Sequence, residues 1–283
     1  MSLAGKTLFI SGGSRGIGLA VALRAARDGA NLVLAAKTAE PHAHLPGTIY
    51  TAAEEIEAAG GKALPLVLDI RDVDAVEAAM AQAAQHFGGI DILVNNASAI
   101  SKTPTLETEA KRYDLMHDIN ARGTFFVSKA AVPYLKKAAN PHVLTMSPPI
   151  NLDPAWFKPH VAYTMSKYAM SMTVLGMAEE YRVDGIAFNS LWPRYGIATA
   201  AIEFAAADAD QLKHCRTPEI MSDAAYEILT RPSRECTGNF FIDDTLLAET
   251  GVTDFSKYRV DPSVPLRVGM FFADDDLPPP GKH

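Results

Sequence analysis

Two groups of residues in this 283-residue chain have types and spacings that could do chemistry. The first is Ser11–Gly12–Gly13–Ser14–Arg15–Gly16–Ile17–Gly18, a glycine loop set between an aliphatic run and a helical one. Glycines let the backbone come close to a pyrophosphate. The N-terminus of the following helix adds unpaired N–H groups and the positive end of its dipole. The position between a first strand and a first helix gives this otherwise common cluster its meaning, and it points to a bound dinucleotide. The second group is Tyr163 and Lys167, four residues apart on a predicted helix and therefore on one face. A phenol with a pKa of ~10 is a poor base at neutral pH. A neighbouring ammonium favours the phenolate and brings it nearer to usefulness.

The end of the second predicted strand decides between dinucleotides. An acid there would bond a ribose 2′-hydroxyl and repel a 2′-phosphate. The sequence has Ala36 followed by Lys37, and Arg15 adds a second cation on the same side. Two cations and no carboxylate predict NADP(H).

Short aliphatic runs alternate with longer helical patterns, the signature of βαβ units and a parallel sheet. Strands are expected at Thr7–Ile10, Asn31–Ala36, Ala63–Asp69, Ile92–Val94, Val143–Met146, Ile186–Leu191 and Asn239–Ile242. Helices are expected at Gly16–Asp28, Ile49–Ala59, Asp72–Phe87, Glu109–Lys137, Tyr163–Tyr181, Ala198–Leu212 and Pro218–Leu229. Lys37–Thr48 is long for a strand-to-helix connection. The fold class is α/β, a doubly wound parallel sheet of Rossmann type. A single domain spans residues 1–243, followed by a C-terminal extension over 244–283. The aromatic and aliphatic residues of that extension, such as Phe255, Tyr258, Phe271 and Phe272, predict that Thr245–Phe272 packs on the domain or a neighbouring subunit. The substrate cleft is one place it could cover. Asp274–His283 lacks such residues and is expected to be mobile.

A net charge of −7 argues against a nucleic-acid partner. No apolar run approaches the ~20 residues that span a bilayer, and no leader pattern opens the chain. The two cysteines, Cys215 and Cys236, have no metal-ligand spacing and suit a reducing compartment. The expectation is a cytoplasmic protein without a metal or a membrane partner.

From about Leu3 to Asp243 the chain resembles the short-chain dehydrogenase/reductase family. The glycine loop matches the family's TGxxxGxG pattern with Ser11 for Thr. Asn95–Asn96–Ala97–Ser98 is similar to its NNAG element with Ser98 for Gly, and Tyr163 to Lys167 matches its YxxxK pair. The segments Ala35–Ala39, Gly47–Tyr50 and Ser147–Pro149 resemble one branch, the hydroxysteroid dehydrogenase-like protein 2 group. Some members of that branch carry a sterol-carrier domain after the reductase, and this chain is expected to stop short of one.

The resemblance implies an oxidoreductase in which Tyr163 exchanges the substrate's hydroxyl proton while Lys167 also holds the nicotinamide ribose. Asn120 would hold a water that relays protons to Lys167, or it could simply be a kink residue bonded to a carbonyl. Cofactor contacts are expected from Gly12, Ser14, Arg15, Gly16, Ile17, Gly18, Lys37, Asp69, Asn96, Ala97, Ser98, Tyr163, Lys167 and Pro193. Ile197 and Thr199 correspond to the element that holds the carboxamide.

Two departures bear on catalysis. The family's serine, about thirteen residues before the Tyr, bonds the reacting carbonyl oxygen. Here the second position of that run is Pro148, and Ser147 stands sixteen residues upstream of Tyr163. Ser147, Asn151 or neither supplies the donor. Arg194 follows Pro193 where the family has Gly. Trp156, Phe157, His160, Trp192 and Tyr195 could line a pocket for a hydrophobic carbonyl compound or alcohol, or serve as packing. The family pairs the helices near Glu109–Lys137 and Tyr163–Tyr181 into homo-dimers and homo-tetramers. The alternative function is an NADP(H)-binding sensor or scaffold with weak or lost turnover.

Overall fold

The computed structural model describes residues 1–41, 47–205, 209–272 and 278–283. Parts of the predicted Lys37–Thr48 connection, the Ala198–Leu212 helix and the Asp274–His283 end lie outside these. Seven strands form one sheet: β1 (Thr7–Ser11), β2 (Asn31–Ala36), β3 (Lys62–Val67), β4 (Ile92–Asn95), β5 (His142–Thr145), β6 (Ala187–Trp192) and β7 (Phe240–Ile242). Their order is β3-β2-β1-β4-β5-β6-β7, and every pairing is parallel. Parallel neighbours require crossovers, which the helices supply.

Strand residues alternate between two cores. Leu8, Ile10, Leu32 and Leu34 face one layer, built from α1 (Gly16–Ala26), α2 (Ile49–Ala58) and, later in the chain, a helix at Glu219–Leu229. Phe9, Val33 and Leu93 face the other, which holds α3 (Val73–Phe87) and two later helices at Thr124–Leu135 and Val161–Glu180. Both faces of the sheet are therefore covered, which is why β1 reads as an unbroken buried run. Chain order reverses between β1 and β4, and in sheets of this kind ligands bind in the crevice at that reversal.

Local signals set several boundaries. The Asp72 carboxylate accepts from the Ala75 N–H at 3.0 Å and caps α3, which ends at left-handed Gly88. The single helix predicted over Glu109–Lys137 is instead three pieces. They are α4 (Ala110–Met116), a π-helical turn (His117–Gly123) and α5 (Thr124–Leu135). A π turn keeps the apolar spacing close to helical, so periodicity did not reveal it.

The remaining helices are α6 (Val161–Glu180), α7 (Ala200–Ala205), α8 (Glu219–Leu229) and α9 (Asp243–Glu249). α9 follows β7 without a loop and was not predicted. Among the described residues no helix is long and apolar enough to cross a membrane.

Candidate active site

The glycine loop is built by close approach. Ser11 ends β1 opposite Asn95 of β4, and its hydroxyl accepts from the N–H groups of Asn96 and Ala97 at 3.1 and 3.2 Å. The Asn96 amide donates back to the Ser11 and Gly12 carbonyls at 3.2 and 2.9 Å. A Cβ on Gly12 would stand 3.0 Å from Ala97 Cα, and one on Gly18 only 2.5 Å from the Gly12 carbonyl oxygen. Gly18 thus serves helix-to-loop packing, and it does not line the cavity beside the loop. Gly12, Ser14, Arg15, Gly16 and Ile17 do line it. The first turn of α1 has no capping side chain and no acid, so its N–H groups remain available to an anion.

This cavity has a volume of about 790 Å³ and runs from the loop to α6. At the end beside the glycine loop Arg15 donates to the Gly47 carbonyl at 3.2 Å. Its buried Nε has no partner, and burial lowers its pKa. Lys37 also lines the cavity, with Nζ 3.5 Å from an Asp69 carboxylate oxygen. Asp69 is held more tightly by Arg71, at 2.6 Å. That bond, the nearby Lys37 charge and a backbone N–H bring its pKa to about 2 despite partial burial. The orphaned Arg15 nitrogen, the unfilled helix terminus and the glycine approach fit the phosphates of a dinucleotide.

At the other end α6 turns Tyr163 and Lys167 into the same cavity, 4 and 3 % exposed. The Lys167 ammonium donates to the Met146 carbonyl at 2.7 Å and lies 5.2 Å from the centroid of the Trp192 ring. Burial pulls its pKa down to about 7 and pushes the Tyr163 phenol above its ordinary value. Desolvation alone sets the shift of the phenol, with no lowering by the ammonium beside it, and Tyr163 holds its proton.

Asn120 sits in the π turn, fully buried, and its amide is saturated. The oxygen accepts from Ser98 Oγ at 3.0 Å and the Ala99 N–H at 2.8 Å. The nitrogen donates to the Ala99 carbonyl at 2.9 Å and Ser166 Oγ at 3.0 Å. Its side chain pins the loop after β4 to α6 and leaves no valence for a relay water. Ser98, which replaces a glycine, is one of its anchors while also lining the cavity.

Ser147 is placed outside the cavity. Its hydroxyl is fully buried without a partner, and its carbonyl accepts from Ser190 Oγ at 2.8 Å. Asn151 is not at the cavity either; its side-chain oxygen accepts from the Asp153 N–H at 3.0 Å. Asn96, Ala97, Pro193, Ile197 and Thr199 all reach the cavity. Of the aromatic candidates, Trp192 and Tyr195 line it, whereas Trp156, Phe157 and His160 stand behind.

The C-terminal extension forms part of this wall. The Trp192 and Trp156 indoles donate to the carbonyls of Met270 and Phe272 at 3.0 and 3.1 Å, and the Gly269 N–H donates to the Arg194 carbonyl at 2.6 Å. Phe271, buried and at φ 79°, packs its ring among Trp156, Tyr168 and Trp192, 5.3–5.8 Å away. Left-handed backbone is costly for a bulky residue, so this packing must hold it there.

Beneath lies a charged cluster absent from the sequence reading. Arg194 and Arg216 reach the two oxygens of Asp244 at 2.8 and 3.1 Å, all three residues being buried. Beyond it, at the end expected to be mobile, the His283 ring stacks on Phe255 at 5.1 Å and meets Arg216 at 2.9 Å. Lys102 and Arg267 also line the cavity and were missed, since nothing in their local sequence marks them. Arg194, standing where a glycine was expected, was the one available sign of the cluster.

The pattern of the short chain dehydrogenase family matches residues 6–209. A short chain dehydrogenase from Mycobacterium thermoresistibile is 53% identical and superimposes with a TM-score of 0.92, covering 98% of both chains. Hydroxysteroid dehydrogenase-like protein 2 from Xenopus tropicalis is 59% identical over 96% of this chain, and that from Homo sapiens 56% over 98%. The chain spans only 64 and 65% of the length of those two relatives.

Proposed function

This chain belongs to the short-chain dehydrogenase family of NAD(P)-dependent oxidoreductases, and on that premise we propose that it moves a hydride between NADP(H) and the carbonyl or hydroxyl carbon of a hydrophobic small molecule. The observation that carries this reading is one continuous cavity with the glycine loop at one end and Tyr163 with Lys167 at the other. The bound nicotinamide would supply or accept the hydride. The loop and the start of α1 hold the pyrophosphate, and Arg15 and Lys37 hold the 2′-phosphate, Lys37 giving up part of its contact with Asp69. Lys167 holds the ribose and Tyr163 donates the proton to the carbonyl oxygen, a task suited to a phenol that burial keeps neutral.

Residues 1–243 form the reductase domain, and the extension over 244–283 closes its substrate end. Exposed apolar residues on α5 and α6, among them Phe125, Met165, Met172 and Leu175, support homo-oligomer formation through those helices. The two free, buried cysteines suit a cytoplasmic setting. The placement of Ser147 outside the cavity favours the second reading, a cofactor sensor with weak turnover.

Cofactor affinity and absorbance test both. NADPH is expected to bind at least about tenfold more tightly than NADH, a difference of about 1.4 kcal/mol. Lys37→Ala should weaken NADPH alone. Equal losses for both cofactors would remove Lys37 from 2′-phosphate recognition. NADPH bound tightly, yet never oxidised against a panel of ketones, aldehydes and quinones, would favour the sensor.

A further inference from the structure

The cavity's charge is one-sided although the chain as a whole is acidic. Among its described lining residues the basic side chains are Arg15, Lys37, Lys102, Lys167 and Arg267, and the single carboxylate is Asp69. Asp69 belongs to the adenosine end, where Arg71 and Lys37 already hold it. The dinucleotide phosphates account for Arg15 and Lys37, and the ribose for Lys167. Lys102 and Arg267 remain, and no part of the proposed cofactor reading uses them.

Lys102 stands at the Tyr163 end, and Arg267 lines the same cavity beside Gly196 and Cys215. Lys102 lies two residues beyond Ile100, which packs against the cluster formed by Tyr163, Tyr168 and Phe271. The Lys102 charge is felt at His160, whose ring stands edge-on to Tyr163 with centroids 5.7 Å apart. Arg267 belongs to the extension. Its carbonyl accepts from the Gly196 N–H at 3.4 Å, beside the Pro193–Thr199 segment that lines the same cavity. Both side chains remain solvent-accessible, and none of the ion pairs found among the described residues involves either. Although the Lys102 side chain is exposed, the protein around its ammonium still lowers its pKa by desolvation, a shift that an adjacent anion would oppose.

We propose that the substrate carries an anionic group, a carboxylate or a phosphate, which Lys102 binds and Arg267 attracts at the mouth while the apolar body lies against Ile100, Trp192 and Met270. The proposal rests on the oxidoreductase reading for its orientation, since it places the reacting carbonyl at Tyr163 and the charge away from it. A cation that reads a substrate's charge adds affinity through a charge-assisted contact, and a second cation lining the same cavity adds steering.

Titration calorimetry on the full chain, with and without NADP⁺, tests this using three probes of one shape: phenylbutyrate, phenylbutanol and phenylbutyl phosphate. Phenylbutyrate is expected to bind about tenfold more tightly than phenylbutanol, the ratio one charged hydrogen bond supplies. Lys102→Gln should erase that gap. Lys111→Gln, at an exposed pair with Glu109, should retain it. Whichever of the acid and the phosphate binds more tightly names the headgroup. Equal binding of acid and alcohol, a gap that survives Lys102→Gln, or no heat from any probe overturns the proposal. A failure to bind NADP⁺ counts against the oxidoreductase reading instead, and the probe comparison on the cofactor-free chain remains readable.

Discussion

At the glycine-loop end of the cavity, Gly12, Ser14, Arg15 and Gly16 come from a single turn, whereas at the Tyr163 end Ile100, Trp192 and Met270 come from three separate segments. The first end is backbone geometry. Its glycines are there because a Cβ would collide with a neighbouring loop, and its helix terminus is uncapped and open to an anion. The second end is side-chain packing. It holds together only while the extension keeps Phe271 between two tryptophans and Asp244 between two arginines. A cofactor site can thus be written in a few consecutive residues. A substrate site assembled from distant parts can be altered by changing the extension alone.

The sharpest way to separate the ends is Tyr163→Phe, which deletes one hydroxyl from the second. Turnover on any substrate found should fall by about 10³-fold, the scale of a lost proton donor. NADPH affinity, measured by calorimetry, should stay near that of the parent. A variant that kept most of its turnover would show that another group donates the proton.

Asp244→Ala attacks the packing itself by removing the carboxylate that Arg194 and Arg216 share. Breaking a buried pair by deleting one partner costs about 3–5 kcal/mol. For a chain of this size that is roughly ten degrees in Tm. Scanning calorimetry should show this fall, while NADPH still binds below the transition. An unchanged Tm would mean that the extension is held by its aromatic residues and not by the ion cluster.

The smallest effect concerns Asp243, buried beside Asp244. Burial, and then the neighbouring carboxylate, raise its pKa well above the usual range, and one of its oxygens has no partner. The folded state therefore keeps a proton that the unfolded chain gives up, so this residue makes the protein less stable as pH climbs from about 4 toward neutrality. Asp243→Asn should match the parent in Tm at the acid end of that window and exceed it at the neutral end. A difference independent of pH would refute the assignment.

The same contrast governs how much could be read in advance. The alternation of runs revealed the strands, Asp72 and the glycine after Phe87 marked both ends of α3, and the glycine loop stands between β1 and α1 where its pattern placed it. All of these signals lie within a few residues of what they determine. The π turn was hidden because it disturbs the apolar spacing very little. The true position of Ser147 was hidden because it depends on Ser190 of β6 and on Pro148, whose carbonyl accepts from Ser171 of α6 at 2.7 Å. Arg194, Arg216 and Asp244 each read as a surface charge when taken alone. Only the docking of α9 and the extension on the segment after β6 and on Arg216 makes them an interior cluster. Lys102 and Arg267, 165 positions apart in the sequence, share a cavity for the same reason.

The two tryptophans that clasp the extension are also the only two in the chain. Their indoles donate to carbonyls two residues apart, Met270 and Phe272, but Trp192 faces the cavity and Trp156 stands behind it. The protein's tryptophan emission is therefore a record of this one seam, and its two indoles report different sides. With Trp192 replaced by Phe, the remaining tryptophan emission comes from an indole whose polar contact is the Phe272 carbonyl, and its wavelength gauges whether the clasp is shut without any attached dye.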